Sequence, residues 1–336
     1  MTDAFGTPIS AIQCQPSAIP KQIFGSNQPV VLKGLVNHWP VVEHSKSSAQ
    51  KAIDYLLQYY NKQPVRAFLA DDETEGRIFY NQDANGFNFV QTQVYLDDVL
   101  NKIVAIADQE SVPTYYLGSL EIADTLPGFS DHNDLDIPSG NVRKSIWLGN
   151  RSLVAPHFDF PDNIACCVLG ERRFTLFPPE QLENLYIGPM DITPGGQQIS
   201  MVNVKQPDLD KYPKFVDAMD AAVTATLAPG DAIYVPSMWW HNVESISPVN
   251  GLVNFWWNES ADYYGSPNNA LLHAMLSIKS LPERQRSAWK RLFDNYVFEQ
   301  PDDFLEHLPD PAKQRFDDIN ENTARKIRAQ LLNNLK

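Results

Sequence analysis

"LVAPHFDFPDN", Leu153 to Asn163, is the stretch that decides the fold. It reads as a buried aromatic strand, yet it spends two alternate positions, His157 and Asp159, on an imidazole and a carboxylate. Side chains at i and i+2 of a strand share a face, so the two groups converge on one spot. Taken alone, a His-x-Asp is more often a surface pair or an ordinary hydrogen-bonded couple, and the surrounding sequence has to supply the rest.

Strand signals surround it in series from Val112: "VPTYYLGSL", "RKSIWLGN", "SLVAPHFDF", "NIACCVLG", "RRFTLFPP", "AVTATLAPGDAIYVP", "WHNVESI" and "GLVNFWWN". The breaks "LGER", "APGD" and "SPVNG" carry turn chemistry of the kind antiparallel strands require, and "LAPGDAIYVP" reads as a hairpin. Many short strands with such turns predict a mainly β fold, a jelly-roll sandwich or barrel. Between Pro178 and Thr224 the pattern relaxes into a long polar insert, of the kind that is functional or partly structured.

Upstream, "PVVLKGLVNHWP" predicts a strand and turn, and "SSAQKAIDYLLQYY" a Ser-capped helix. "GRIFYN" and "FNFVQTQVYL" suggest a hairpin, followed by a helix over "YLDDVLNKIVAIA". After Ser260 the texture turns helical, with apolar stripes at Leu271, Leu272, Met275 and Leu276 and again at Trp289, Leu292, Phe293 and Tyr296. Such stripes need a surface to cover, either the chain's own barrel or a second copy; a homodimer through these helices is the expectation. The resulting division is residues 1–110, strands and helices packing on the core; 111–260, the jelly-roll core; and 261–336, the C-terminal helical region.

Bulk properties set limits. The 336 residues are 43% hydrophobic and 20% charged, a globular composition with a real core. Twenty-seven basic against 41 acidic residues give a net charge of -14, which argues against DNA as a partner. Arg284, Arg286, Lys290 and Arg291 read as a solvated helix face. Three Cys residues, two of them the adjacent Cys166 and Cys167, are poor material for a disulfide framework. The N-terminus has no secretory pattern, and no uncharged apolar run approaches the roughly 20 residues of a membrane helix. A cytoplasmic protein is expected.

A third candidate ligand stands in "PSMWWHNVES": His241. Alone it reads as a core histidine; with His157 and Asp159 it completes two imidazoles and one carboxylate. That set, with open positions, is associated with non-haem Fe(II) oxygenases. Structural zinc would want four closed ligands, whereas catalytic zinc with the same three ligand types stays open.

"SIWLGNRSLVAPHFDFPDNIACCVLGERRFTLFPPEQLENLY", "PGDAIYVPSMWWHNVES" and "VNFWW" closely resemble the Jumonji-C (JmjC), cupin-like 2-oxoglutarate oxygenases. The nearest branch is that of the asparaginyl hydroxylase that inhibits hypoxia-inducible factor and its bacterial cupin-like relatives. The resemblance runs over about Ser145 to Asn258 and is weaker over "PVVLKGLVNHWP". It implies a double-stranded β-helix with flanking helices, Fe(II) on His157, Asp159 and His241, and 2-oxoglutarate as co-substrate. It places the distal carboxylate of the oxo acid on Arg172, fifteen positions beyond His157, where the asparaginyl hydroxylase has Lys. Arg173 should point the other way, and a one-residue shift of register would exchange the two. Tyr116 matches a co-substrate tyrosine, although a core aromatic reads equally well, and Asn163 and Asn254 match amides near the iron end. One departure is Val154, where the asparaginyl hydroxylase has a hydrogen-bonding Thr.

The implied activity is hydroxylation, with demethylation as a possible outcome, most naturally on a protein or peptide side chain, with small molecules and tRNA bases also served by this scaffold. The insert Glu180 to Val223 and the acidic loop "LPGFSDHNDLDIPSG" are the expected recognition surfaces. Competing readings are a non-catalytic JmjC-like binding module, left open by Val154 and Arg172, and a cupin metalloenzyme acting on a small molecule.

Overall fold

In the computed structural model, which describes residues 5–299, 305–309, 313 and 319–335, the strands between Arg143 and Trp257 repeatedly change sheets. Before them come Thr7–Pro8 (β1), Ala11–Gln13 (β2), Val30–Lys33 (β3), Val65–Ala70 (β4), Arg77–Ile78 (β5), Val90–Val94 (β6) and Thr114–Glu121 (β7). The series itself is Arg143–Gly149 (β8), Ser152–Phe158 (β9), Asp162–Leu169 (β10), Arg172–Phe177 (β11), Val223–Leu227 (β12), Ala232–Val235 (β13), Trp240–Ser245 (β14) and Asn250–Trp257 (β15). One sheet has six strands in the order β1-β12-β11-β14-β9-β5, the other nine in the order β2-β3-β13-β10-β15-β8-β7-β4-β6. Only β11 and β12 are successive members of the series paired with each other, as an antiparallel pair joined by the long insert. This is the double-stranded β-helix of a mainly β, cupin-like fold.

The turns expected to join paired strands therefore do something else. "LGER", "APGD" and "SPVNG" lie between β10 and β11, β12 and β13, and β14 and β15, and each carries the chain from one sheet to the other. "LAPGDAIYVP" is a corner between sheets, not a hairpin. Gly170 in the first corner sits at φ 69°, which an L side chain resists. The "GRIFYN"/"FNFVQTQVYL" hairpin forms only at its tip, since β5 runs parallel to β9 in one sheet and β6 antiparallel to β4 in the other. A single bridge, Tyr80 to Phe87, joins the two segments. Asn81 N donates to Gly86 O at 2.9 Å and Asn88 N to Phe79 O at 3.1 Å; beyond them the Asn88 side chain accepts from Phe79 N at 2.9 Å and donates to Arg77 O at 2.8 Å.

The near-continuous apolar run of β10 follows from burial on both faces. Ala165 and Cys167 point between the sheets with Phe174, Leu176, Ile233, Val243 and Leu252. Ile164, Cys166 and Val168 point outward, into a cluster with Trp39, Ile53, Leu56, Leu100 and Ile103 from the helices Pro40–Ser47, Ala49–Leu57 and Leu96–Ala105. Ser48 caps the second of these, accepting from Lys51 N. The outer face of the six-stranded sheet is covered by the insert, where Phe177 and Trp240 meet Leu185, Val202, Phe215 and Ala218.

The chain divides after Asn258 into two compact units. The second contains helices Pro267–Ser277, Glu283–Phe293 and Glu321–Asn334. No helix among the described residues is long and apolar enough to cross a membrane. All three Cys are buried and free.

Candidate metal centre

His157 and His241 are cross-strand partners on β9 and β14, with ring centroids 4.2 Å apart. Asp159 follows β9 directly; its main-chain oxygen accepts from Met238 N at 2.9 Å, tying the two ligand-bearing segments together. One donor atom from each of His157, Asp159 and His241 lies within 4.8 Å of the others. They form the one group of three or more potential ligands among the described residues.

Two carbonyls set the state of the rings. Ala155 O lies 2.9 Å from His157 Nδ1, and Trp239 O lies 3.0 Å from His241 Nδ1. A carbonyl can only accept, so each Nδ1 carries the proton and Nε2 is left as the nitrogen whose lone pair a metal would take. Burial, reinforced by His157 and partly offset by Asp159, pushes His241 down to about 4, so its ring stays neutral. Asp159 Oδ2 lies 3.7 Å from His241 Nε2 and accepts from the Trp256 indole Nε1 at 3.2 Å.

A β-bulge aims the first histidine. The register runs Trp240 to Phe158 and His241 to His157, then jumps to Val243 opposite Val154. Ala155 and Pro156 thus oppose Asn242 alone, two residues against one. Val154 and His157, three positions apart, both line one cavity of about 570 Å³. Strict alternation would put them on opposite faces.

Tyr116, Trp147, Trp256 and Asp159 also line that cavity, and the exposed Arg66 and Arg143 stand at its open side. One wall comes from the insert, through Pro194, Gly195, Gln197 and Ile199. Ile199 forms a bridge to His157, and Ser200 N donates to Pro156 O at 2.8 Å, so the insert is stitched to the ligand strand itself.

The cupin-like domain family model matches residues 16–263. This chain belongs to the cupin-like, JmjC-type family. The cupin-like chain is 34% identical over 163 residues to human HSPB1-associated protein 1, covering 47% of its own length and 33% of that protein. It is 26% identical over 306 residues to mouse tRNA wybutosine-synthesizing protein 5, covering 81% of its own length and 89% of that protein. With the Jumonji C domain-containing protein 5 of Drosophila melanogaster it shares 27% over 245 residues, 70% of this chain and 55% of that one. The chain thus spans about a third of the first relative and about half of the third.

Metal binding is typical of the cupin-like, JmjC-type family, and the donor set fits: two imidazole nitrogens and a carboxylate, with no thiolate among them. Buried polar atoms left without partners fit an anionic group, although Arg172, Asn163 and Asn254 are not among the residues that line the cavity. Arg172 is 3% exposed, its Nε has no partner, and no carboxylate pairs with it among the described residues. Burial holds its pKa below the usual arginine value; its ionisable neighbours Tyr116 and Cys167 act the other way. Arg173 points outward to Glu244 at 3.2 Å, so the register left open by the sequence places Arg172 inside.

Tyr116 lines the cavity, its phenol pushed up by burial. Asn163 and Asn254 are buried and bonded to each other, Asn254 Nδ2 donating to Asn163 Oδ1 at 3.0 Å, with Asn254 Oδ1 left over.

Of the two expected recognition surfaces, only the insert reaches the cavity. No residue of the acidic loop lines it. Asn133 is buried there and accepts from Val41 N at 3.2 Å, and Asp134 pairs with Lys144 at 2.6 Å. That loop anchors a helix and a strand. Sequence reasoning passed over Trp256 and Arg66. Trp256 was within reach, because it shares a face with Asn254 by the period of β15; nothing in the pattern marked Arg66.

Proposed function

We propose that this cupin-like chain is an Fe(II)- and 2-oxoglutarate-dependent dioxygenase that hydroxylates a side chain of a protein substrate. The observation that carries the reading is the pairing of a His157, Asp159, His241 donor set with a buried, unpaired Arg172 in the same sandwich. His157, Asp159 and His241 would hold the ion, and Arg172 with Tyr116 the distal carboxylate of the oxo acid. Arg suits a carboxylate because its planar fork can donate two parallel hydrogen bonds. Bound iron and oxo acid supply the chemistry, decarboxylation of the oxo acid coupled to transfer of an oxygen atom to the substrate. The protein's own part is to orient the ligands, to seat the target beside Trp147 and Trp256, and to keep water from it with the insert wall.

The test is succinate formation from 2-oxoglutarate by purified protein with Fe(II), beside the metal content of His157→Ala. Turnover in the native chain and loss of metal in the variant are expected. Neither oxo-acid binding nor turnover, with unchanged metal in the variant, would overturn the proposal.

A second substrate reading, a tRNA nucleoside, is favoured by the match to a tRNA wybutosine-synthesizing protein along 89% of that protein. The net charge of -14 weighs against a polyanion. A mass increase of one oxygen atom, sought in candidate proteins and in digested tRNA incubated with the enzyme, separates the two. The C-terminal helices expose Leu271, Leu272, Leu276, Trp289 and Leu292, and we read these as the surface of a homodimer.

A further inference from the structure

Asp159 lies just beyond the end of β9, its main-chain oxygen held by Met238 N and its side chain 25% exposed. Among the described residues one side chain donates to it: the indole Nε1 of Trp256, 3.2 Å from Oδ2. Trp256 itself is firmly placed. It sits in β15 with Asn163 of β10 opposite on one side and Arg143 of β8 on the other, and it is 9% exposed. The Trp147 ring packs edge-on at 6.2 Å. The Arg143 guanidinium lies 5.5 Å from the Trp256 ring centroid, held by Glu121 at 3.1 Å and by Ser119 Oγ at 3.0 Å. A cation over an indole draws on its π electrons and makes the N–H a better donor.

We propose that Trp256 is a positioning residue for the metal centre. Its N–H occupies a lone pair of Oδ2 and fixes the plane of the Asp159 carboxylate, and Arg143, tethered by Glu121 and Ser119, strengthens that donor. The inference rests on reading His157, Asp159 and His241 as metal ligands. It adds that the geometry of the carboxylate is set from the opposite sheet, by a residue that needs no contact with the ion. Groups that orient metal ligands in this way are worth about 10–100-fold in metal affinity.

The test uses the full chain and Co(II) alone, followed by its visible absorption, so that no turnover is needed. Trp256→Phe keeps the ring and removes the donor. It should bind Co(II) about 10–100-fold more weakly, with a displaced absorption band. Trp39→Phe, whose indole N–H also has no partner and which lies in the helix-covered cluster away from the cavity, should match the native chain in both. Arg143→Gln, at an exposed position, should weaken binding by about two- to five-fold and move the band in the same direction as Trp256→Phe. Native affinity and an unmoved band in Trp256→Phe would overturn the proposal; should that variant lose its fold, the same result in Arg143→Gln would do so. A native chain that takes up no Co(II) would instead overturn the ligand assignment on which the proposal stands.

Discussion

Arg172→Met separates stability from co-substrate binding. Arg172 is 3% exposed and its guanidinium meets no carboxylate among the described residues. An uncompensated buried charge costs several kcal/mol, and replacing buried ionic groups with well-packed apolar ones can stabilise by about 1–4 kcal/mol. Tyr116 and Cys167 offer the charge some polar company, so the lower half of that range applies, about 1–2 kcal/mol. For a unit of this size 1 kcal/mol corresponds to about 2–4 °C, so the variant without oxo acid should unfold about 2–8 °C above the native chain. Saturation reverses the order: at 100 times Kd a ligand stabilises its protein by about 2.7 kcal/mol, which the native chain gains and the variant does not. The assay is thermal unfolding with Mn(II), across a titration of 2-oxoglutarate. Arg173→Met, at the outward position, should retain the full ligand-induced shift. An Arg172→Met that melts lower than the native chain in the absence of oxo acid, yet keeps its ligand-induced shift, would refute both the stored cost and the assigned role.

Three other outcomes are expected. Val154→Thr places a hydroxyl in the cavity three positions from His157; one added hydrogen bond is worth about 1 kcal/mol, so 2-oxoglutarate should bind about five-fold more tightly by calorimetry, and weaker binding would reject that geometry. Gly170→Ala puts a methyl against the Val249 carbonyl at φ 69° and should cost about 1–3 kcal/mol, seen as a lower urea midpoint at unchanged slope; an unmoved midpoint would show that the corner can relax. Leu276, 78% exposed, belongs to the apolar surface assigned to a second copy, so light scattering at micromolar concentration should give a dimer for the native chain and a monomer for Leu276→Glu paired with Trp289→Glu, whereas a native monomer rejects the assignment.

The fold was legible where one residue type forces one geometry. Eight strand signals with Gly- and Pro-rich breaks were enough for a jelly roll. Which strands pair was not legible, because a turn such as "LGER" reverses direction equally well within a sheet and between two. The hairpin expected around Arg77 is cut short for a related reason: beyond the Tyr80–Phe87 bridge Asn88 satisfies the backbone of Arg77 and Phe79 with its side chain, and the two strands part into different sheets. Nor could "RRF" reveal which arginine turns inward. Period-two alternation says that the two differ, and only the contact of Arg173 with Glu244 says which is outside.

The bulge on β9 shows why the ligand set could be read and its surroundings only in part. His157 and Asp159 share a parity with Leu153 and Ala155, and simple alternation would give that whole set one face. The extra residue at Ala155 and Pro156 breaks the parity, so that Val154 before it and His157 after it meet in one cavity. Proline is suited to the position because it has no N–H to contribute to a ladder, and its carbonyl is taken by Ser200 of the insert. The Ala155 carbonyl meets His157 Nδ1, which puts a proton on that nitrogen and makes Nε2 the one a metal would use. One local departure from strand geometry therefore aims the imidazole and docks the wall of the site. A sequence states the ligand types plainly; the device that makes them coordinate is a change of register, and it emerges only when β9 is laid against β14.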